Sequence, residues 1–151
     1  MPGENGEGLL MKTMSATIRI DAPPAAVWAI LVDLARYPEW NPLFREASGQ
    51  VAVGHRITLR TVRPTNGRMM TIKPKITVAD PATELTWVAS LPGVITGEHR
   101  FALTPSGGGT HLEQSETVRG LLAVISAKTF APTEASFRAL NEALKQQAEQ
   151  P

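Results

Sequence analysis

The stretch from Gly120 onward, GLLAVISAKTFAPTEASFRALNEALKQQAEQ, constrains the fold more than any other part of the chain. Apolar residues recur in it at helical spacing, first Leu121 and Ile125, then Phe137, Leu140 and Leu144. Glu134, Arg138 and Glu142 stand four apart with alternating sign, the pattern of a solvated face. At ~1.5 Å per residue such a helix spans roughly 40 Å, about the width of a small domain. Pro132 removes an amide from it, so a kink or break is expected near Lys128 to Ala131. A helix of this length needs a large apolar surface to lie on.

The preceding chain supplies that surface as strands. Ala16, Ile18 and Ile20 alternate with Thr17, Arg19 and Asp21, a half-buried strand. Asp21 before Pro23 and Pro24 reads as a capped helix start, and Val27, Ile30, Leu31 and Leu34 make one apolar stripe. That helix is expected over Pro24 to Tyr37, ended by Pro38, with Trp40, Asn41 and Pro42 forming a tight corner. Ile57, Leu59 and Thr61 then alternate with Arg56, Thr58 and Arg60. Asn66-Gly67 signals a turn. Met70, Ile72, Ile76 and Val78 share a parity, with Pro74 among them as the mark of an edge or a bulge. Leu85, Trp87 and Ala89 form the next inward set, and His99, Phe101 and Leu103 the one after. Leu112, Gln114, Glu116 and Val118 form the last. Strand, helix, a run of strands and a long helix is an α+β order.

Residues 1–13, opening with the Gly-rich, acidic MPGENGEG, are expected to be a disordered tail, and 14–151 one domain. The chain has no cysteine, which excludes disulfides, thiolate metal sites and a cysteine nucleophile. A formal net charge of +1 gives no global argument for nucleic acid or membrane. No apolar run reaches the ~20 residues of a membrane span and no signal-peptide pattern opens the chain, so the cytoplasm is the default expectation. No P-loop, dinucleotide fingerprint or serine elbow is present. No cofactor is expected, and the partner is a small molecule. The assembly is expected to be a monomer or a homodimer.

Two stretches resemble the START/polyketide-cyclase-like (SRPBCC, helix-grip) superfamily. IDAPPAAVWAILVDLARYPEWNP, Ile20 to Pro42, matches its "aP…VW" helix start and "D…YP.WNP" corner. LTWVASLPGVITGEHRFALTPSGGGTHLEQSETVRGLL is similar to its tryptophan strand, "G.H.F.L" strand and "GT" hairpin, and to the glycine before the last helix. The resemblance, closest to the polyketide cyclase/dehydrase branch, covers about residues 14–149. It implies a curved antiparallel sheet of six or seven strands wrapped around the C-terminal helix, with a cavity between them. Family membership alone does not name a reaction, since lipid carriers, hormone receptors and cyclases share the fold.

Strand parity and helix stripe nominate the lining of that cavity: Ile57, Leu59, Met70, Ile72, Trp87, His99, Phe101, Gln114, Glu116, Leu121, Ile125 and Phe137. Trp28 and Trp40 read as structural aromatics. His99, Gln114 and Glu116 are three hydrogen-bonding side chains on an otherwise apolar face. A carboxylate there needs a partner or a raised pKa. They are either a satisfied polar network or an acid/base pair, His99 with Glu116. His111 and Glu113 share the outward face and read as solvated, so no metal is expected. Arg56, Arg60, Arg63, Arg68, Lys73 and Lys75 crowd residues 47–79 without an acid. They read as the wet face of a sheet rather than a nucleic-acid surface. Two functions follow. The first is binding of a hydrophobic or aromatic, lipid- or polyketide-like molecule. The alternative is a cofactor-independent cyclase/dehydratase using His99 and Glu116.

Overall fold

The structure, a computed structural model, describes residues 11–91, 95–120 and 130–151. Leu121 and Ile125 lie outside the described residues, as do Lys128 and Thr129 of the expected break, while Phe130 and Ala131 are already helical. The elements are β1 (Met11–Ile20), α1 (Pro24–Val32), a 3-10 turn (Leu34–Arg36), α2 (Tyr37–Trp40), β2 (Phe44–Ser48), β3 (Thr58–Val62), β4 (Met69–Ile72), β5 (Lys75–Asp80), β6 (Glu84–Leu91), β7 (Ile95–Ser106), β8 (Gly109–Gly120) and α3 (Phe130–Ala148). β1 begins at Met11, so it takes in the last three residues assigned to the tail.

Among the described residues eight antiparallel strands form two ladders, β1-β8-β7-β6-β5 and β2-β3-β4, where the sequence suggests six or seven. One added strand is β2, which no alternation in the sequence marks, and another comes from Pro74. It splits one run into β4 and β5, because proline cannot donate to a ladder. The ladders join at that point. Arg56 bridges to Lys75, Ile57 N–H donates to Pro74 O (3.0 Å), and Ile76 N–H donates to His55 O (2.8 Å). The sheet turns at Pro74 without coming apart, which separates β4 from the end of β6.

α3 lies along β1. Phe137, Leu140 and Leu144 are buried to within 2% of complete, each contributing ~1.5–3 kcal/mol of apolar burial. Lys145 Nζ donates to Arg19 O (3.1 Å), and Ser15 N–H donates to Glu134 (3.2 Å). This is the α+β helix-grip arrangement, a curved antiparallel sheet against a long C-terminal helix.

The region after β1 differs from expectation in detail. Pro23 caps α1 and no side chain does; Asp21 pairs instead with Arg19. α1 stops at Val32, because Asp33 leaves helical geometry (φ −86°, ψ 75°). Pro38 sits in the first turn of α2, where a missing amide costs nothing, and so opens a helix rather than ending one. The buried Tyr37 hydroxyl donates to Leu31 O (2.6 Å), and Trp40 packs edge-on against its ring. Asn41 Oδ1 then accepts the N–H groups of Leu43 (3.0 Å) and Phe44 (2.8 Å). The WNP corner thus aims Phe44 at the inner face of the sheet.

Candidate functional site

Between sheet and helix lies a cavity of about 680 Å³. Thr61, Val62, Met70 and Ile72 form one wall, and Trp87, Ala89, Ser90, Ile95, Gly97 and His99 a second. Glu116 and Val118 of β8, Thr133 and Phe137 of α3, and Leu43 and Phe44 after the corner complete it. The turn of the sheet at Pro74 places the β3–β4 ladder and the β6–β7 ladder on different walls of it.

The floor is one rung of the ladder. Ile76 faces Trp87, Trp87 faces His99, His99 faces Glu116, and Glu116 faces Met14. His99 stacks on Trp87 (5.3 Å between centroids, 15° between planes), with Phe44 and Phe137 edge-on to its ring at 5.3 and 5.1 Å. Offset and edge-on aromatic pairs of this kind give ~0.5–1.5 kcal/mol each beyond burial.

Burial pushes the His99 imidazole down to about 4, with the Gln114 hydrogen bond opposing part of that shift. The ring is neutral at neutral pH. Burial also pushes the Glu116 carboxyl up to about 7. Its side chain is 31% exposed and stands 3.9 Å from His99 Nδ1, Oε2 to nitrogen, too far for a hydrogen bond. The expectation that Glu116 needs either a partner or a raised pKa resolves on the second. The carboxyl lies over Gly97, where an added Cβ would come within 3.0 Å of Oε1.

The nominated lining residues divide. Met70, Ile72, Trp87, His99, Glu116 and Phe137 touch the cavity. Leu59, Ile57, Phe101 and Gln114 do not. Leu59 and Ile57 are sealed in the core at 0% and 1% exposure. Phe101 and Gln114 belong to the next rung, Leu85–Phe101–Gln114–Ala16, on which α3 has closed down. His99 Nε2 lies 2.9 Å from Gln114 Oε1. Gln114 Nε2 donates to Phe137 O (3.2 Å) and Asn141 Oδ1 (2.8 Å), and Asn141 Nδ2 donates to Ala16 O (3.1 Å). So the polar network runs through His99 Nε2, and Glu116 stands outside it, 3.9 Å from His99 Nδ1.

Sequence reasoning missed Asn141, although it stands at i+4 from Phe137 inside the apolar stripe, a polar residue where a core residue belongs. It also assigned Arg56, Arg63 and Lys73 to the wet face, whereas these exposed cations line the cavity, at the ends of the β3–β4 wall. The signal was the run of cations without an acid. No group of three potential metal ligands occurs among the described residues, and no described helix is long and apolar enough to cross a membrane.

Comparison with known proteins gives a consistent picture. A family model described as polyketide cyclase / dehydrase and lipid transport matches residues 11–149. A search of curated protein sequences finds no significant match. Among solved structures, a START superfamily protein from Mycobacterium smegmatis superposes with a TM-score of 0.74 at 18% identity, covering 91% of this chain and 97% of that one. The Zhui aromatase/cyclase from Streptomyces sp. R1128 gives 0.71 at 17% identity, with 92% and 94% covered. The di-domain aromatase/cyclase BexL of the BE-7585A biosynthetic pathway gives 0.76 at 22% identity, and covers 95% of this chain. The match takes in 52% of BexL, about half of that two-domain protein. At these identities the likeness carries the fold.

Proposed function

The chain belongs to the polyketide cyclase / dehydrase and lipid transport family, and on that premise we propose that it binds a hydrophobic or aromatic small molecule, lipid- or polyketide-like, between sheet and helix. The observation that carries this reading is the cavity of about 680 Å³, walled by Trp87, Phe44, Phe137, Met70 and Ile72. That volume is in the range of small-molecule sites, and apolar walls with a few placed polar groups are their usual composition. With this reading go one domain over 11–151, a cytoplasmic setting, a monomer or homodimer, and no nucleic-acid partner. Native mass spectrometry of freshly purified protein is the test. A copurifying hydrophobic ligand that departs on heating or solvent exchange supports the reading. A protein that takes up no member of a panel of fatty acids and polycyclic aromatics refutes it.

One observation favours a second reading, a cofactor-independent cyclase/dehydratase. Glu116 is an acid with a pKa near neutrality, and His99 is a neutral base beside it. Glu116 would donate its proton to a ligand carbonyl oxygen while His99 Nδ1 accepts one from the adjacent carbon, which is enolisation without a metal. Glu116→Gln keeps the shape and removes the transferable proton. Turnover falling ~10²-fold with binding retained supports the enzyme; both unchanged supports binding alone.

A further inference from the structure

The hydrogen bonds behind His99 admit one arrangement of protons. The carbonyl oxygens of Phe137 and Ala16 can only accept. Gln114 therefore turns its amide nitrogen to Phe137, and Asn141 turns its own to Ala16. This leaves Asn141 Oδ1 facing the second hydrogen of Gln114 Nε2, and Gln114 Oε1 facing His99. An amide oxygen has no proton to give, so His99 Nε2 carries the hydrogen and donates it. In the neutral ring Nδ1 is then a bare acceptor. His99 is 4% exposed, and among the described residues its Nδ1 has no hydrogen-bond partner. The ring lines the cavity, so this acceptor is open to a hydrogen-bond donor carried by whatever occupies the floor.

The 3.9 Å from Nδ1 to Glu116 Oε2 is too long for a direct bond and short enough for one oxygen atom to reach both, at ~2.8 Å from each. We propose that His99 Nδ1 and the Glu116 carboxyl form a two-point clamp on a single hydroxyl group carried by an unsaturated ring, a phenol or an enol. This rests on reading the cavity as a small-molecule site, and names the ligand class of that site. The hydroxyl donates its hydrogen to Nδ1 and accepts the hydrogen of the Glu116 carboxylic acid. An ether or a plain carbonyl accepts from Glu116 but has nothing to give Nδ1. The aromatic side chains of Trp87, Phe44 and Phe137 that line the cavity beside the clamp favour an aromatic ligand over an alkyl alcohol.

The protonated carboxyl is the competent form, since an ionised Glu116 and Nδ1 would compete for one hydrogen. Around Glu116, β7 presents His99 and Gly97, β1 presents Met14, and α3 presents Thr133 and Phe137. The other charged groups on the cavity are Arg56, Arg63 and Lys73. Clamping should therefore weaken above about pH 7, following Glu116.

The test uses three probes of one ring system, 1-naphthol, 1-methoxynaphthalene and naphthalene, titrated calorimetrically at pH 6. In parallel, a long-range proton–nitrogen spectrum of 15N-histidine-labelled protein reads the His99 tautomer. The expected result is 1-naphthol binding at least about tenfold tighter than the other two, a preference lost in His99→Phe, and a spectrum with the hydrogen on Nε2. Equal affinities for the three probes, or a hydrogen on Nδ1, overturn the clamp and leave the cavity reading standing. Binding of none of them overturns the clamp, and the panel of fatty acids and polycyclic aromatics then decides the cavity reading by itself. Should His99→Phe fail to fold, the three affinities and the spectrum of the unaltered protein decide alone.

Discussion

Two adjacent rungs of the same sheet, with the same parity, meet different fates. Trp87, His99 and Glu116 open on the cavity, whereas Leu85, Phe101 and Gln114 are fully covered. Alternation along a strand sets the face a residue occupies, but its height on that face is set by where α3 touches down. α3 reaches the second rung through Phe137 O and Asn141, and leaves the first rung open beside Thr133. The site is the part of the inner face that the helix does not fill.

The sharpest way to break this comparison is to truncate matched apolar residues on the two sides of the boundary. Phe101→Ala removes a side chain 1% exposed and ringed by Trp87 and His99, and should cost ~3–5 kcal/mol of unfolding free energy. Ile72→Ala, on a half-buried cavity wall, should cost under ~1.5 kcal/mol, because part of what it loses already faces open space. Urea denaturation measures both. Equal losses would mean that the cavity is closed in solution.

A second contrast lies within the first rung and appears with pH. The folded Glu116 carboxyl holds its proton up to about 7 against an ordinary 4.5, so its contribution is complete below 4.5 and is lost as pH rises through 7. The His99 imidazole is held at about 4 against 6.5, so its contribution is complete above 6.5 and is lost as pH falls through 4. The two slopes oppose and nearly cancel in the parent. Glu116→Gln removes one of them. Relative to the parent, the variant should gain about 3 kcal/mol between pH 4 and pH 8. Denaturation curves of both proteins across that range check the sign. A variant that loses stability with rising pH contradicts it.

Gly97 offers a smaller perturbation of the same rung. In Gly97→Ala the new Cβ meets Glu116 Oε1 at 3.0 Å, and the flexible carboxyl end yields. Stability should change by less than ~1 kcal/mol. The preference for 1-naphthol over 1-methoxynaphthalene should fall, because the clamp loses its spacing. Calorimetry on this variant separates geometry from fold.

Much of this was legible in the sequence. The parity of β6, β7 and β8 put Trp87, His99 and Glu116 on one face, and the stripe of α3 put Phe137, Leu140 and Leu144 on it. What stayed hidden depended on contacts between elements. Phe101 and Gln114 share that parity, and no local pattern says that the helix covers them. Pro74 was readable as an edge or a bulge, yet that it divides the strands between two ladders depends on which neighbours β4 and β5 find. Asn141 was visible as an interruption in an apolar stripe and gains meaning only opposite Gln114.

The smallest expected effect concerns the cations of β3 and β4. Arg56, Arg63 and Lys73 touch the cavity, and Arg56 already donates to Lys73 O (2.9 Å). On the wet-face reading the remaining cations form no dedicated surface: Arg60 is occupied with Thr71 Oγ1 (3.1 Å), and Arg68 and Lys75 are exposed on different strands or turns. Phosphate backbones reward clustered cations through counterion release, which is strongest at low salt. A gel shift with mixed-sequence single- and double-stranded DNA at low ionic strength should therefore show no retained complex at micromolar protein. Tight binding that weakens steeply with salt would make Arg60 and Arg68, which do not line the cavity, part of a second interface. Arg60→Ala with Arg68→Ala would then abolish it, while binding of 1-naphthol stayed unchanged.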